Sequence, residues 1–249
     1  MTVRCVWITG ASSGIGLALA KRMMRDDWIV AGSARSAEAL EALERKHSGQ
    51  FFSYPLDVTD EAGAAATVAR IRKERGGLDM AVLAAGTHKP VEIGDFRPDV
   101  FRSLLEINLM GVVNCIAAVA PGFLADRAGH LAVVSSVAGY GGLPTAAAYG
   151  ASKAALINMT EALKPDFDRN GVKLQLVCPG FVRTPLTDKN PFPMPFLMEP
   201  EDAADAFYRG LQSNRFEITF PRIFAIILRC LNVLPYSLYF RLVKRGTGK

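Results

Sequence analysis

Paired cysteines are what this sequence most plainly lacks. The four present (Cys5, Cys115, Cys178 and Cys230) are scattered, form no CxxC pair and have no histidine close by. That argues against a structural zinc site or a disulfide framework; no metal is expected, and a reducing, cytoplasmic setting fits. The opening MTVRCVWITG shows no basic start, apolar stretch and cleavage site, so no signal peptide is expected. Internal repeats and an interdomain linker are absent too. Acidic residues are missing mainly from one region: residues 209–249 carry eight basic side chains and one acidic, whereas residues 1–208 are slightly acidic overall. A net charge of +5 concentrated in that way argues against a nucleic-acid-binding domain and marks a specialised tail.

What is present is a chain of 249 residues, half hydrophobic and 21% charged, enough for one large α/β domain with a sizeable core. Short apolar runs at 3–9, 28–33, 51–56, 79–84, 130–135, 172–178 and 216–220 read as strands. Helix-period segments at 17–26, 37–47, 61–75, 100–127, 149–168 and 201–212 read as helices between them, with a kink expected at Pro165. Strand–helix alternation with strands apolar on both faces predicts a single-domain, doubly wound parallel sheet of about seven strands with helices on both faces. Two segments break the rhythm: a Pro-, Phe- and Met-rich stretch at 184–200, and an extension of 29 residues beginning at Pro221.

The first strand runs into Gly10-Ala11-Ser12-Ser13-Gly14-Ile15-Gly16, which opens the first helix. Glycines there let the backbone turn sharply and approach a diphosphate, whose charge the helix N-terminal N–H groups meet. The same segment also suits a plain strand–helix turn. A site for NAD usually places a carboxylate at the end of the second strand. Here the chain reads Gly32-Ser33-Ala34-Arg35, with no carboxylate and one guanidinium. Arg35 could grip a 2′-phosphate, or be a solvated residue at a helix start; together with the glycine loop it favours NADP(H) over NAD(H).

Tyr149 and Lys153 are four apart at a helix start and share one face, just beyond the fifth strand, whose carboxyl end should border the cofactor crevice. A phenol of pKa near 10 is a poor base at pH 7. Lowering it by about three units takes roughly 4 kcal/mol, which one cation some 4 Å away could supply at an effective dielectric near 20.

With TGASSGIG, Asp57-Val58 after the third strand, Asn108 in EINLMG, Ser136 thirteen residues before Tyr149, YGASK and CPGFVRT at 178–184, the chain resembles the short-chain dehydrogenase/reductase family over residues 3–220. The resemblance implies a Rossmann-like fold and an NADP(H)-dependent enzyme interconverting a carbonyl and an alcohol. Tyr149 would be the general acid/base, Lys153 its activator and ribose ligand, and Ser136, with Ser135 as a rival, the carbonyl-orienting hydroxyl. Asn108 would hold the water of a proton relay. Gly10, Ser12, Ser13, Gly14, Ile15, Gly16, Ser33 and Arg35 would line the phosphate and ribose. Asp57 would bond the adenine amino group beside Val58. Pro179, Gly180, Val182 and Thr184 would engage the nicotinamide end. Asp57 could equally be only a turn residue, and Asn108 only a helix hydrogen-bonder. The family commonly has Asn-Asn-Ala-Gly after the fourth strand, where this chain has Leu83-Ala84-Ala85-Gly86. Ala84, Ala85 and the close-approach Gly86 should still border the cofactor, with altered polar contacts in the sheet. The alternative is a non-catalytic NADP-binding regulator, which would need no acid/base; an epimerase or dehydratase would usually need a longer substrate domain.

By position His88, Tyr140, Leu143 and Phe181 should line the substrate pocket, although His88 could be a solvated loop residue. A catalytic domain is expected over 1–220, with 185–200 either a lid over a hydrophobic, lipid-like substrate or a loop packed on the core. In the extension, 221–249, the apolar run from Ile223 to Leu234 is too short to span a bilayer. Arg222 and Arg229 fall on one helical face, and Phe224, Ile227, Leu228 and Leu231 on another. With Arg241, Lys244, Arg245 and Lys249, this reads as a basic amphipathic pair. It could lie on an anionic membrane surface, or pack against the body or a second subunit of a homodimer or homotetramer.

Overall fold

Along β1 (Cys5–Thr9) the side chains alternate between two buried layers, as the pleat of a strand covered on both faces requires. Val6 and Ile8 join one core, and Cys5 and Trp7 the other. The computed structural model describes residues 4–189 and 194–247. The remaining strands are β2 (Ile29–Ser33), β3 (Phe51–Ser53), β4 (Met80–Leu83), β5 (His130–Val134), β6 (Lys173–Pro179) and β7 (Glu217–Phe220). All seven form one parallel sheet in the order β3-β2-β1-β4-β5-β6-β7. This is the doubly wound, Rossmann-like architecture expected. The winding reverses between β1 and β4, which opens a crevice at their carboxyl ends.

One helix layer holds α1 (Gly14–Met24), α2 (Ala37–Lys46) and α7 (Pro200–Leu211), through Leu19, Met23, Leu40 and Phe207. The other holds α3 (Glu61–Arg75), α5 (Gly111–Asp126) and α6 (Ala147–Arg169), through Val68, Ile71, Phe123 and Leu156. Local chemistry sets several starts. Ser36 caps α2 by accepting from the Ala39 N–H, and Asp60 caps α3 by accepting from Gly63. Pro98 and Pro200 stand at the first positions of α4 (Pro98–Leu105) and α7.

Two elements depart from expectation. β3 ends at Ser53, because Pro55 has no N–H to donate; backbone bonds from Tyr54 to Gly32 and from Leu56 to Ala34 continue the pairing loosely. The single helix expected over 100–127 is α4 and α5 joined by a π turn, Glu106–Met110, which carries Asn108 inward. This helical run, Pro98–Asp126, is apolar and long enough to cross a membrane, but Val112, Cys115, Val119 and Phe123 pack on the sheet as a core helix does. α6 carries Pro165 within its span, as expected.

Two further helices, α8 (Arg222–Asn232) and α9 (Tyr236–Thr247), fold back onto the carboxyl end of the sheet. Phe224 and Ala225 are buried with Val137, Leu176 and Cys178, and the Tyr239 hydroxyl donates to the Gly142 carbonyl at 2.6 Å. Ile227, expected beside Phe224 and Leu228, lies on the exposed side instead. Lys249 lies outside the described residues.

Candidate active site

The glycine loop crosses the crevice at the β1–β4 switch point. Gly10 and Gly14 have φ of +73° and +54°, where a side chain would be strained. A Cβ on Gly10 would meet the Ala85 Cα at 3.0 Å, and one on Gly16 would lie 2.4 Å from the Gly10 carbonyl oxygen. The loop is therefore pressed onto the Ala84–Ala85–Gly86 segment on one side and onto α1 on the other. Ser13 stands at the N-cap but makes no side-chain cap bond, which leaves the first-turn amides of α1 for an outside acceptor. Ser12 and Ile15 are half-buried beside it. Thr184 reaches across from the β6 side, its Cγ2 3.3 Å from where a Gly14 Cβ would sit.

Beyond β2, Arg35 is exposed and faces Asp57 closely enough for its charge to act on that carboxylate. Asp57 is held below the usual carboxylate range first by the Thr59 N–H and hydroxyl, and then by Arg35. Two residues of the expected cofactor lining point elsewhere. Ser33 is buried; its hydroxyl accepts from Trp7 Nε1 at 2.9 Å and its carbonyl accepts from the Ala11 N–H, so it shapes the loop. Val58 packs toward Gly111, and its carbonyl accepts from Asn114. At the Leu83–Gly86 departure, Thr9 Oγ1 accepts from the Ala84 and Ala85 N–H groups at 3.0 and 3.1 Å.

Ser136, Tyr149, Lys153 and Asn108 meet at the carboxyl ends of β4 and β5. Ser136 Oγ accepts from the Ala138 N–H and donates to the Pro179 carbonyl, and it stands near enough to the Tyr149 phenol to act on its titration. Ser135 points away, donating to the Lys153 carbonyl at 2.7 Å. Lys153 is 4% exposed; its Nζ donates to the Val134 carbonyl at 3.0 Å and lies 5.6 Å from the centre of the Tyr149 ring. Burial lowers the Lys153 pKa to about 8. Burial also pushes the Tyr149 phenol up to about 12, against the opposing influence of the Ser136 hydroxyl. The lysine was expected to pull the phenol down; desolvation wins, because the ammonium is itself buried and turned to a carbonyl.

Asn108 grips Thr87 in both directions, with Oδ1 accepting from its N–H at 2.7 Å and Nδ2 donating to its carbonyl at 2.9 Å. Nδ2 also donates to Ser152 Oγ, which donates to the Tyr149 carbonyl. Ser152 and Thr87 thus lock the loop after β4 to α6; sequence reading missed them, although Ser152 stands one turn beyond Tyr149. A Cβ on Gly86 would lie 3.3 Å from Asn108 Oδ1 and 3.7 Å from Lys153 Nζ, so only a glycine leaves this corner open.

On the substrate side, the half-buried His88 ring stands edge-on to Tyr149 at 4.8 Å. Tyr140 is turned away from the phenol: its hydroxyl donates to Glu217 at 2.5 Å, and Arg229, paired with Glu217, lies 4.8 Å over its ring. Leu143 faces Leu228, Leu231 and Tyr239 of the tail across a small gap. Phe181 stacks on Phe224 at 5.5 Å, and Phe196 stands 5.8 Å from Phe224. Gly180 also meets Phe224, and Val182 is buried and bridged to Met198. Of the lid segment, Asn190, Pro191, Phe192 and Pro193 lie outside the described residues.

Comparison with known proteins agrees with this geometry. Residues 4–192 match the family model for short chain dehydrogenase. An uncharacterized oxidoreductase of Myxococcus xanthus is 36% identical over 248 residues, 98% of each chain. A short-chain dehydrogenase from Sphingobium yanoikuyae, solved in complex with NADPH, superposes with a TM-score of 0.80 at 26% identity, covering 90% of this chain and 92% of that one. One from Burkholderia cenocepacia, in complex with NADP, superposes at 0.85 with 23% identity, covering 96% and 97%. By sequence match and by fold alike, the chain belongs to the short chain dehydrogenase family.

Proposed function

We propose that the chain is an NADP(H)-dependent oxidoreductase that interconverts a carbonyl and an alcohol, with Tyr149 as general acid/base. The observation that carries this reading is the meeting of the Tyr149 phenol, the Ser136 hydroxyl close to it and the buried Lys153 amine 5.6 Å from the phenol ring. The residues fit a dinucleotide. Gly10 and Gly86 leave room that a Cβ would close, and the α1 amides await an acceptor. Gly10, Gly14, Gly16, Ser12, Ser13 and Ile15 would hold the diphosphate, Arg35 the 2′-phosphate, and Asp57 the adenine amino group. Lys153 would hold the ribose, and Val182 and Thr184 the nicotinamide end. The two neighbours solved with NADP or NADPH support the same choice of cofactor. Once bound, the nicotinamide supplies or accepts the hydride.

The chain's own residues handle the proton. Ser136 Oγ would bond the substrate oxygen and orient it toward Tyr149 Oη. Tyr149 would give its proton to that oxygen as charge builds on it. Lys153, with a pKa near 8, stays largely charged at pH 7 yet can pass a proton on. Asn108 sits where a relay from Lys153 toward solvent would run. Phe181, Phe196, Phe224, Leu143 and Leu228 make the substrate side apolar, which supports a hydrophobic, lipid-like substrate. The same family reading includes assembly as a homodimer or homotetramer.

Oxidation of NADPH across carbonyl compounds of graded chain length tests this reading, with Tyr149→Phe beside the native chain. Tyr149→Phe should keep NADPH affinity and lose turnover by about a hundredfold or more. Full turnover in that variant would overturn the assignment.

A further inference from the structure

Of the thirteen large hydrophobic side chains exposed among the described residues, eight lie on α8, α9 and their connection: Ile223, Ile226, Ile227, Val233, Tyr236, Leu238, Phe240 and Leu242. They do not belong to a loose tail. Phe224 and Ala225 of α8, and Tyr239 and Val243 of α9, are buried, so each helix is fixed on the body by one face and leaves further apolar side chains exposed. On α8 and its C-cap the exposed apolar arc is Ile223, Ile226, Ile227 and Val233, with Arg222 at its margin. On α9, Tyr236 stacks on Phe240 at 5.7 Å, both rings being exposed. Arg241, Lys244 and Arg245 complete that helix, all three exposed. From Ile218 to Lys249 the sequence has no acidic side chain.

We infer that this outward face of α8 and α9 docks on the surface of an anionic lipid bilayer. Exposed aliphatic and aromatic groups framed by arginine and lysine are what the boundary between headgroups and acyl chains accepts. The basic residues match the negative potential of such a surface. Spanning is excluded: α8 has 11 residues, about 16 Å of helix, against a hydrocarbon core of about 30 Å. A second copy is the poorer occupant. A two-fold contact sets the same patch against itself, which here brings arginine and lysine to arginine and lysine with no carboxylate between them. Glu217, the acidic residue nearest in sequence, is already paired with Arg229.

Docking in this way has a consequence for substrate entry, and that part rests on the oxidoreductase reading. The inward face of α8 supplies Phe224, Leu228 and Leu231 to the substrate side. The same helix would therefore touch lipid on one face and substrate on the other, giving an apolar substrate a short path out of the bilayer.

The test is sedimentation of the full chain with vesicles of phosphatidylcholine alone, and of phosphatidylcholine and phosphatidylglycerol in equal parts. The native chain should pellet with the anionic vesicles only and be released by high salt. Ile226→Asp with Phe240→Asp should lower the bound fraction about tenfold or more, and Lys244→Glu with Arg245→Glu by a similar factor. All four side chains are exposed and lie outside the cofactor and catalytic residues, so NADPH titration in lipid-free buffer should be unchanged; that titration and the Tyr149→Phe assay judge the oxidoreductase reading separately. The inference is overturned if the native chain stays in solution with both vesicles, or if either double variant pellets like the native chain. It is equally overturned if Ile226→Asp splits a dimer seen by light scattering while the native chain ignores lipid.

Discussion

Replacing Lys153 with methionine should make the protein more stable and less active, in a way that depends on pH. Lys153 is buried, and burial lowers its pKa from 10.5 to about 8. That fall corresponds to about 3 kcal/mol in favour of the neutral amine. The sign follows from proton binding: between pH 8 and 10.5 the unfolded chain holds a proton that the folded chain has released, so stability rises with pH across that window. Below pH 8 folding must bury the cation, and the full penalty applies. Methionine fills the same unbranched space without a charge. It forfeits the bond from Nζ to the Val134 carbonyl, which costs about 1 kcal/mol.

At pH 7 the expected net gain for Lys153→Met is therefore about 2 kcal/mol, or roughly 4–8 °C in melting temperature for a chain of this size. The advantage should shrink through pH 8 to 10.5 and turn into a small deficit above it. Thermal denaturation of both chains at pH 7 and pH 10, without nucleotide, measures the difference directly, and titrations common to both cancel. A lower melting temperature for Lys153→Met at pH 7, or a gap that does not change with pH, would refute the argument. Turnover should be lost in the same variant, since a side chain kept at a cost to stability marks a functional site.

The cofactor site can be probed at both ends. Arg35→Ala should remove most of the preference for NADPH over NADH, a change of about ten- to hundredfold if one charge-assisted contact of about 1.5–3 kcal/mol is lost; equal affinity of the native chain for the two nucleotides would sink the claim. Gly10→Ala places a Cβ against Ala85 Cα at 3.0 Å and Ala84 O at 3.1 Å, at a φ of +73°. It should weaken NADPH binding at least about tenfold in a fluorescence titration, and native-like affinity would show that the loop does not form the phosphate site.

The sheet was legible because each strand is a short apolar run closed by a turn, and the switch point follows from strand–helix alternation. YGASK and the glycine loop were legible because the residues that matter are close in sequence. Ser33 and the phenol were harder for the same physical reason. The direction of the Ser33 hydroxyl is set by Trp7, twenty-six residues away. The pKa of Tyr149 is set by how deeply its site is buried, and a spacing of four residues reveals the neighbouring cation but not the loss of water. Asn108 could be named from EINLMG, yet no feature of composition announces a π turn, nor that its side chain would be spent on Thr87 and Ser152.

The tail resisted reading because α8 is apolar on most of its circumference, so periodicity alone could not say which side faces in. The answer lies in three separated parts of the body. Phe224 meets Gly180 after β6, Asn232 and Tyr239 approach Gly141, and Arg229 reaches Glu217, which holds the Tyr140 hydroxyl. Removing everything after Phe220 would uncover Val137, Leu176 and Cys178 and leave Tyr140 bonded to an unpaired carboxylate. Such a truncation would therefore disturb the substrate loops whatever the outer face does. The two roles of the tail separate only along its circumference: substitutions at Ile226 or Phe240 question the outer surface, whereas substitutions at Phe224 or Tyr239 question the wall of the active site.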